Sequence, residues 1–305
     1  MTPAAPNDKP LLGIALMLGF CVLAPLGDGV AKLLGSRMGV AELVFLRFLF
    51  QLVLLLPFAL PGVRRMLRDP FVLGMTALRT GLHIIGIGCM FLSLRYLPLA
   101  EAVAIAFVMP FIMLLLGRYV LGEEVGPRRI AACAVGFIGT LLVVQPSFAA
   151  VGPAALLPLV VAVVFALFML VTRTIAKRVE PIALQAMSGV MACLGLAPLL
   201  MLTTGLPGLP EDPVTLWLIL ALGGLGTVAH LLMTWSLRFA PSATLAPMQY
   251  LEIPFATLIG WLIFRDLPNG LAALGILVTM GAGLYIIYRE RQAGLEPPRQ
   301  APPAA

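Results

Sequence analysis

The sequence predicts an all-α polytopic membrane protein with ten transmembrane helices, arranged as two inverted five-helix repeats. Three observations predict this. Of 305 residues, 61% are hydrophobic and 11% charged, whereas ordinary soluble domains carry about 25% charged residues; the mean hydropathy is +1.04. The apolar residues fall into ten runs of about 20 residues, the length that crosses ~30 Å of hydrocarbon. An offset of 143 residues lays features of the second half on the first. A soluble reading would need domains with almost no polar surface.

The runs cover 11–34, 41–60, 71–95, 98–121, 128–145, 153–176, 181–203, 213–238, 242–264 and 268–288. Residues 1–9 read as a polar cytoplasmic tail. The first run has no small-residue cleavage site and reads as a span, not a signal peptide. It holds Pro25, Asp28 and Lys32, with Gly27 and Gly29 beside the acid. The second holds Arg47-Phe48 and ends at the turn formers Pro61-Gly62. The third carries Arg79 and His83 among Gly81, Gly86 and Gly88. The fourth follows Pro98, has Glu101 in its first turn, and continues through Phe107 and Pro110. Glu123, Glu124 and Gly126-Pro127 mark the next turn. In the fifth, Ala132, Gly136 and Thr140 form a stripe of small residues that lets helix backbones approach closely.

The sixth and seventh runs follow, with the turn formers Leu206-Pro207-Gly208 after the seventh. The eighth contains His230 and Trp235. The ninth contains Gln249, Tyr250 and Glu252 between Pro247 and Pro254. The tenth repeats the small-residue stripe as Gly275, Thr279 and Gly283. The polar, Pro-rich end at 289–305 reads as a disordered cytoplasmic tail.

The 143-residue offset maps Ser93-Leu94-Arg95 onto Ser236-Leu237-Arg238, Pro98 onto Pro241, Phe107 onto Tyr250 and Glu123 onto Asp266. It divides the chain into repeats at 10–146 and 147–288. Five spans per repeat is an odd number, so the second repeat enters the membrane upside down, an architecture suited to alternating access about a midplane site. With the N-terminus inside, twelve Lys and Arg residues fall on the inner side and four on the outer. That bias places both termini in the cytoplasm. The net charge of +6 is spread over short loops and is not a nucleic-acid signal. The four cysteines sit singly in different runs, which supports neither a disulfide nor a metal site.

Leu94-Arg95-Tyr96-Leu97-Pro98-Leu99-Ala100-Glu101-Ala102, Pro110-Phe111, Leu121-Gly122-Glu123-Glu124-Val125 and Gly136-Phe137-Ile138-Gly139-Thr140 resemble the first half of EamA-type members of the drug/metabolite transporter superfamily. Tyr250-Leu251-Glu252-Ile253-Pro254-Phe255, Gly260-Trp261-Leu262, Asp266 and Gly283-Leu284-Tyr285 resemble the second half, and Arg47-Phe48 is similar to the family's common Arg-Phe pair. The resemblance covers 10–289 and implies ten helices in two inverted halves around a central cavity. It also implies a carrier in a bacterial-type inner membrane. The family's usual Gly-Glu before the last helix is Arg265-Asp266 here. The turn keeps its acid and must be made without its glycine.

Charged residues within spans are expensive and tend to face a bundle interior or a cavity. Each in-span group therefore has a structural and a functional reading. Asp28 pairs with Lys32 one turn on, or lines the cavity. Arg79 bonds helix carbonyls or a carboxylate, or clamps an anionic substrate with its planar fork. His83 is a buried hydrogen-bonding residue or a substrate contact. Arg47 reads as structural, bonding helix ends or pairing with Glu42, Asp28 or Glu101. Glu101 caps its helix, or serves the substrate and the coupling proton. Glu123 and Asp266 read as structural helix-end residues. Glu252 lies mid-span with no base at i±3 or i±4. It lines the cavity and takes up a proton, or else pairs with Arg79. Gln249, Tyr250 and Phe107 are candidates to bond or stack on the substrate body, with His230 and Trp235 as weaker ones.

The function these readings favour is secondary active transport of a small organic metabolite, such as an amino-acid derivative or a compound like S-adenosylmethionine or riboflavin. The expected partners are the substrate, the bilayer and a proton, with the chain a monomer or homodimer. No cofactor is expected, and the chain carries no Walker A pattern. Multidrug efflux, a lipid flippase and a non-transporting scaffold are the alternatives. An intramembrane enzyme would need a nucleophile or metal constellation, and the two histidines stand alone in sequence.

Overall fold

The computed structural model describes residues 9–120, 127–208, 210–240 and 245–295. These residues form an all-helical bundle: α1 (Pro10–Leu34), α2 (Val40–Met66), α3 (Pro70–Ser93), α4 (Leu99–Ala106), α5 (Met109–Val120), α6 (Pro127–Val151), α7 (Leu157–Ile175), α8 (Pro181–Thr203), α9 (Pro213–Phe239), α10 (Glu252–Ile259) and α11 (Gly270–Leu295). Among the described residues, seven helical stretches are long and apolar enough to cross a membrane, and Met248–Phe264 and Gly270–Tyr285 are shorter apolar helices. Large apolar side chains on the outside, including Leu202, Phe58, Leu194 and Trp217, are 70–87% exposed. Such a surface belongs against hydrocarbon. The chain is therefore a multi-pass membrane protein.

Prolines open most of these helices, where the missing N–H costs nothing: α1, α3, α8 and α9 all have Pro in the first turn. Asp69 caps α3 by accepting from Phe71 N–H at 3.1 Å and Val72 N–H at 3.2 Å. Asp212 does the same for α9 and also meets Arg37 at 2.6 Å. The Thr215 hydroxyl, donating at 2.7 Å, is the main reason the Asp212 carboxyl lies below the usual carboxylate range.

Several boundaries differ from those read in the sequence. Pro61-Gly62 does not end the second span: α2 carries Pro57 and Pro61 inside it and runs to Met66. The last helix reaches Leu295, so 289–295 is helical, where the sequence reads as a disordered tail. α6 continues to Val151, past residue 146. The readings of Glu123 and Glu124 lie outside the described residues.

Two of the runs read as spans from the sequence are discontinuous. The fourth breaks between α4 and α5 at Phe107 and Val108. The ninth is a 3-10 segment (Ala246–Leu251), then α10, then a π turn (Gly260–Phe264). That turn closes on Arg265, whose φ of 58° makes it the one non-glycine residue with positive φ among those described. This is the position where the related pattern has glycine. The left-handed conformation costs an L-residue roughly 1–2 kcal/mol, and here it is held by Arg265 N–H donating to Trp261 O (3.1 Å) and Asp266 N–H to Gly260 O (3.3 Å).

The helices pack in cross-half pairs: α1 on α9, α2 on α8, α3 on α7 and α6 on α11. The α6–α11 crossing is tight. A Cβ on Gly139 would fall 2.4 Å from Thr279 Oγ1, and one on Gly275 would fall 2.4 Å from Gly139 O. The Thr279 hydroxyl also reaches Gly136 O at 3.4 Å, across a separation of 143 residues. The closest approach thus pairs the stripe residue Gly275 with Gly139, which sits between the stripe residues Gly136 and Thr140.

Candidate functional site

Beside the two broken segments lies a cavity of about 100 Å³. Its wall is mostly apolar and aromatic, with Phe20, Phe91, Phe107, Phe165, Met90 and Met109. The ionisable residues on it are Asp28 from α1, Arg47 from α2, His230 from α9 and Glu252, the first residue of α10. Gly27 on α1 and Gly226 on α9 open space beside them. At Gly226 the need is specific, since a Cβ there would fall 2.6 Å from Arg47 Nε.

Asp28 does not form the intrahelical pair with Lys32. Lys32 turns outward, donates to Leu97 O (3.0 Å) and Asp266 Oδ2 (3.3 Å), and lies over the Phe264 ring. Asp28 is left within charge range of both Arg47 and Glu252. Arg47 spans to α9, where Nη2 donates to Gly226 O at 3.3 Å and lies 2.9 Å from His230 Nδ1. The Arg47 side chain thus does more than brace helix ends, because it also forms part of the cavity wall.

Below the cavity runs a buried polar seam. Gln51 Nε2 donates to Gln185 O at 2.7 Å, and Gln185 Nε2 donates to His230 O at 2.9 Å and Thr234 Oγ1 at 3.1 Å. Arg79, fully buried, donates from Nε to Thr172 Oγ1 and from Nη1 to Ser188 Oγ, both at 2.8 Å, and stacks over the Phe168 ring at 4.4 Å. His83 is also fully buried, with ring centroids 4.5 Å from Phe168, 5.1 Å from Phe48 and 4.4 Å from His230.

Of the candidates chosen from the sequence, the cavity wall brings together Asp28, Phe107, His230 and Glu252. It does not include Arg79, His83, Glu101, Trp235, Gln249 or Tyr250. Arg79 and Glu252 neither share the cavity nor bond to each other, because Arg79 is taken by α7 and α8. Glu101 accepts from Ser147 Oγ at 2.5 Å and ties α4 to α6. Gln249 Nε2 lies 3.2 Å from Met169 Sδ. Tyr250 is 1% exposed and supports the wall from behind, its ring 5.4 Å from that of Phe107. Trp235 packs with the Leu55, Ala183 and Leu184 cluster. Asp266 holds Lys32.

Sequence reasoning missed Arg47 and Phe165 as wall residues and ranked His230 too low. The one available signal was Gly226, a helical turn before His230.

Arg79 supplies a stability prediction. Arg79→Ala removes hydrogen bonds to two buried hydroxyls, of which Thr172 keeps its own bond to Phe168 O, so the unfolding free energy should fall by about 3 kcal/mol. Thermal denaturation in detergent measures this, and ligand affinity of the folded fraction should stay within twofold of the parent (about 0.4 kcal/mol).

A multi-pass helical bundle with discontinuous helices meeting at an interior cavity is the architecture of a membrane carrier. Sequence comparison agrees. The EamA-like transporter family matches at residues 11–145 and again at 152–289, and the chain belongs to that family. It is a transporter, not an enzyme. Relatives include a riboflavin transporter of Rhizobium johnstonii, 31% identical over 255 residues (79% of this chain and 80% of the relative). An S-adenosylmethionine uptake transporter of Rickettsia prowazekii is 26% identical over 285 residues (93% and 95%). A crystal structure 20% identical in sequence superposes with a TM-score of 0.65, over 93% of this chain and 98% of that one, and shares the fold.

Proposed function

We propose that the chain is a secondary active transporter that moves a small organic metabolite across the inner membrane by alternating access. The substrate class is an amino-acid derivative or a compound like S-adenosylmethionine or riboflavin. The observation that carries this reading is the cavity itself. Two carboxylates, Asp28 and Glu252, and one guanidinium, Arg47, share with His230 a wall otherwise made of aliphatic, small, aromatic and methionine residues. The aromatics suit a flat heterocycle. The excess of acid suits a cationic group.

The working architecture is ten helices in two inverted repeats, 10–146 and 147–288, with both termini cytoplasmic. The helix pairing supports it. Under the 143-residue offset, the α1–α9 contact corresponds to the α3–α7 contact with halves exchanged. Residues one offset apart also touch: Phe107 with Tyr250, and Gly136 with Thr279. Contact between equivalent positions is expected only near a two-fold axis. Rocking about that axis would expose the cavity to each side in turn, with Glu252 carrying the coupling proton.

Multidrug efflux is the second reading, favoured by Met90 and Met109 on the wall, because methionine surfaces repack around different ligands. The test is a thermal-shift screen of the purified protein, since a ligand that binds the folded state raises its apparent stability. S-adenosylmethionine or riboflavin should raise the midpoint, and the stabilising compound should accumulate in proteoliposomes under a pH gradient. Equal stabilisation by many unrelated cations would favour efflux. No shift with either metabolite class would overturn the proposed substrates.

A further inference from the structure

We propose that Arg47 and His230 form a carboxylate-binding pole in the cavity, so that the substrate is a zwitterion carrying a carboxylate as well as a positive charge. This rests on the transport reading above and narrows its substrate class.

The argument begins with one proton. Arg47 Nη2 lies 2.9 Å from His230 Nδ1, and the same Nδ1 lies 3.0 Å from Gly226 O. The guanidinium has only donors. The tautomer in which His230 Nδ1 accepts from it keeps a second donor away from the cation, and in that tautomer Nδ1 does not donate to Gly226 O. The ring proton is thereby placed on Nε2. That Nε2 is buried and has no hydrogen-bond partner among the described residues. Arg47 Nη1 is in the same condition. Two buried N–H donors on two cavity-lining residues, joined by a 2.9 Å contact, are thus unspent. A buried donor without a partner costs about 1–3 kcal/mol, more when charged. A carboxylate, with two acceptor oxygens, would satisfy both.

The surroundings fix where these donors sit. Gly226 lacks the side chain that would displace the guanidinium. His83 at 4.4 Å, with Phe20 and Phe165 edge-on at 5.7 and 6.1 Å, hold the His230 ring. Asp28 lies within charge range of Arg47, but no hydrogen bond joins them, so Arg47 Nη1 is not taken by it. Glu252, within charge range of Asp28, completes an acidic pole on the same wall. Arg79 also has an unpartnered nitrogen, Nη2, yet it is away from the cavity and carries no such role. Riboflavin has no carboxylate, so the pole favours an amino-acid-derived cation over a flavin.

The experiment compares two probes on the purified full chain by calorimetric titration: S-adenosylmethionine and its decarboxylated analogue. The parent protein should prefer the carboxylated probe by at least about tenfold, as for one charge-assisted hydrogen bond. Arg47→Gln and His230→Leu should each reduce that preference severalfold while leaving the decarboxylated probe's affinity nearly unchanged. His230→Gln, which keeps an amide donor, should retain most of it. A role confined to packing would weaken both probes equally. Equal parental affinity for the two probes, or a preference unmoved by both His230 variants, would overturn this inference alone. If neither probe binds, the cationic-metabolite reading falls as well. The His230 pair decides the matter should Arg47→Gln fail to fold.

Discussion

Glu252→Gln should lose transport by at least about tenfold, roughly 1.4 kcal/mol of coupling, and what remains should no longer respond to a pH gradient. The amide has nearly the shape of the acid and keeps its hydrogen-bonding capacity, but it cannot gain or lose a proton. Glu252 opens α10 where the ninth span changes from 3-10 to α geometry, and it lines the cavity with Asp28. The amide carries no charge into the membrane interior, where a charged side chain costs ~2.5–3.5 kcal/mol, so the substitution adds no insertion cost. The mutant should therefore be folded, inserted and at least as heat-stable as the parent. Loss of flux with retained stability separates a functional acid from a structural one. Uptake in proteoliposomes with imposed pH gradients measures the first half, and thermal denaturation the second. Unchanged, pH-dependent uptake would remove Glu252 from the mechanism.

The second large effect is expected far from the cavity. Gly275→Ala should destabilise the protein by about 1–3 kcal/mol, the range for overpacking a tight interface. The added Cβ would fall 2.4 Å from Gly139 O and 2.9 Å from Val143 Cγ2. A backbone oxygen cannot swing aside as a side-chain end can. α6 and α11 would have to separate, weakening the packing between the two halves. Gly281→Ala is the matched control on the same helix, because a Cβ there meets nothing within 4 Å. It should change stability by less than about 0.5 kcal/mol. Equal effects of the two substitutions would mean that helix propensity, not the crossing, dominates.

The structure also shows what kind of information each side chain carried. The 143-residue offset anticipated that Phe107 and Tyr250 would meet, and their rings are 5.4 Å apart. It also paired Gly136 with Thr279, which are bonded at 3.4 Å. These contacts were legible because they follow from an internal repeat, which is a property of the linear chain. The partners of Arg79, Lys32 and Glu101 were not. Each was weighed against acids, bases or carbonyls near in sequence or depth. The structure gives them instead two hydroxyls from α7 and α8, an aspartate beyond α10, and a serine on α6.

By itself, the sequence determined the membrane class, the family and the presence of costly polar groups within apolar runs. Hydrophobicity and span length suffice for those, because hydrocarbon imposes them on every segment separately. Only the tertiary structure decided which polar groups meet in the cavity. A helix apolar on all sides carries no pattern that says which face turns inward. Its rotation and tilt are set by packing against its neighbours. Arg47 shows the difference: its place in span two is written in the chain, but its reach to His230 depends on α9 presenting Gly226 beneath the guanidinium.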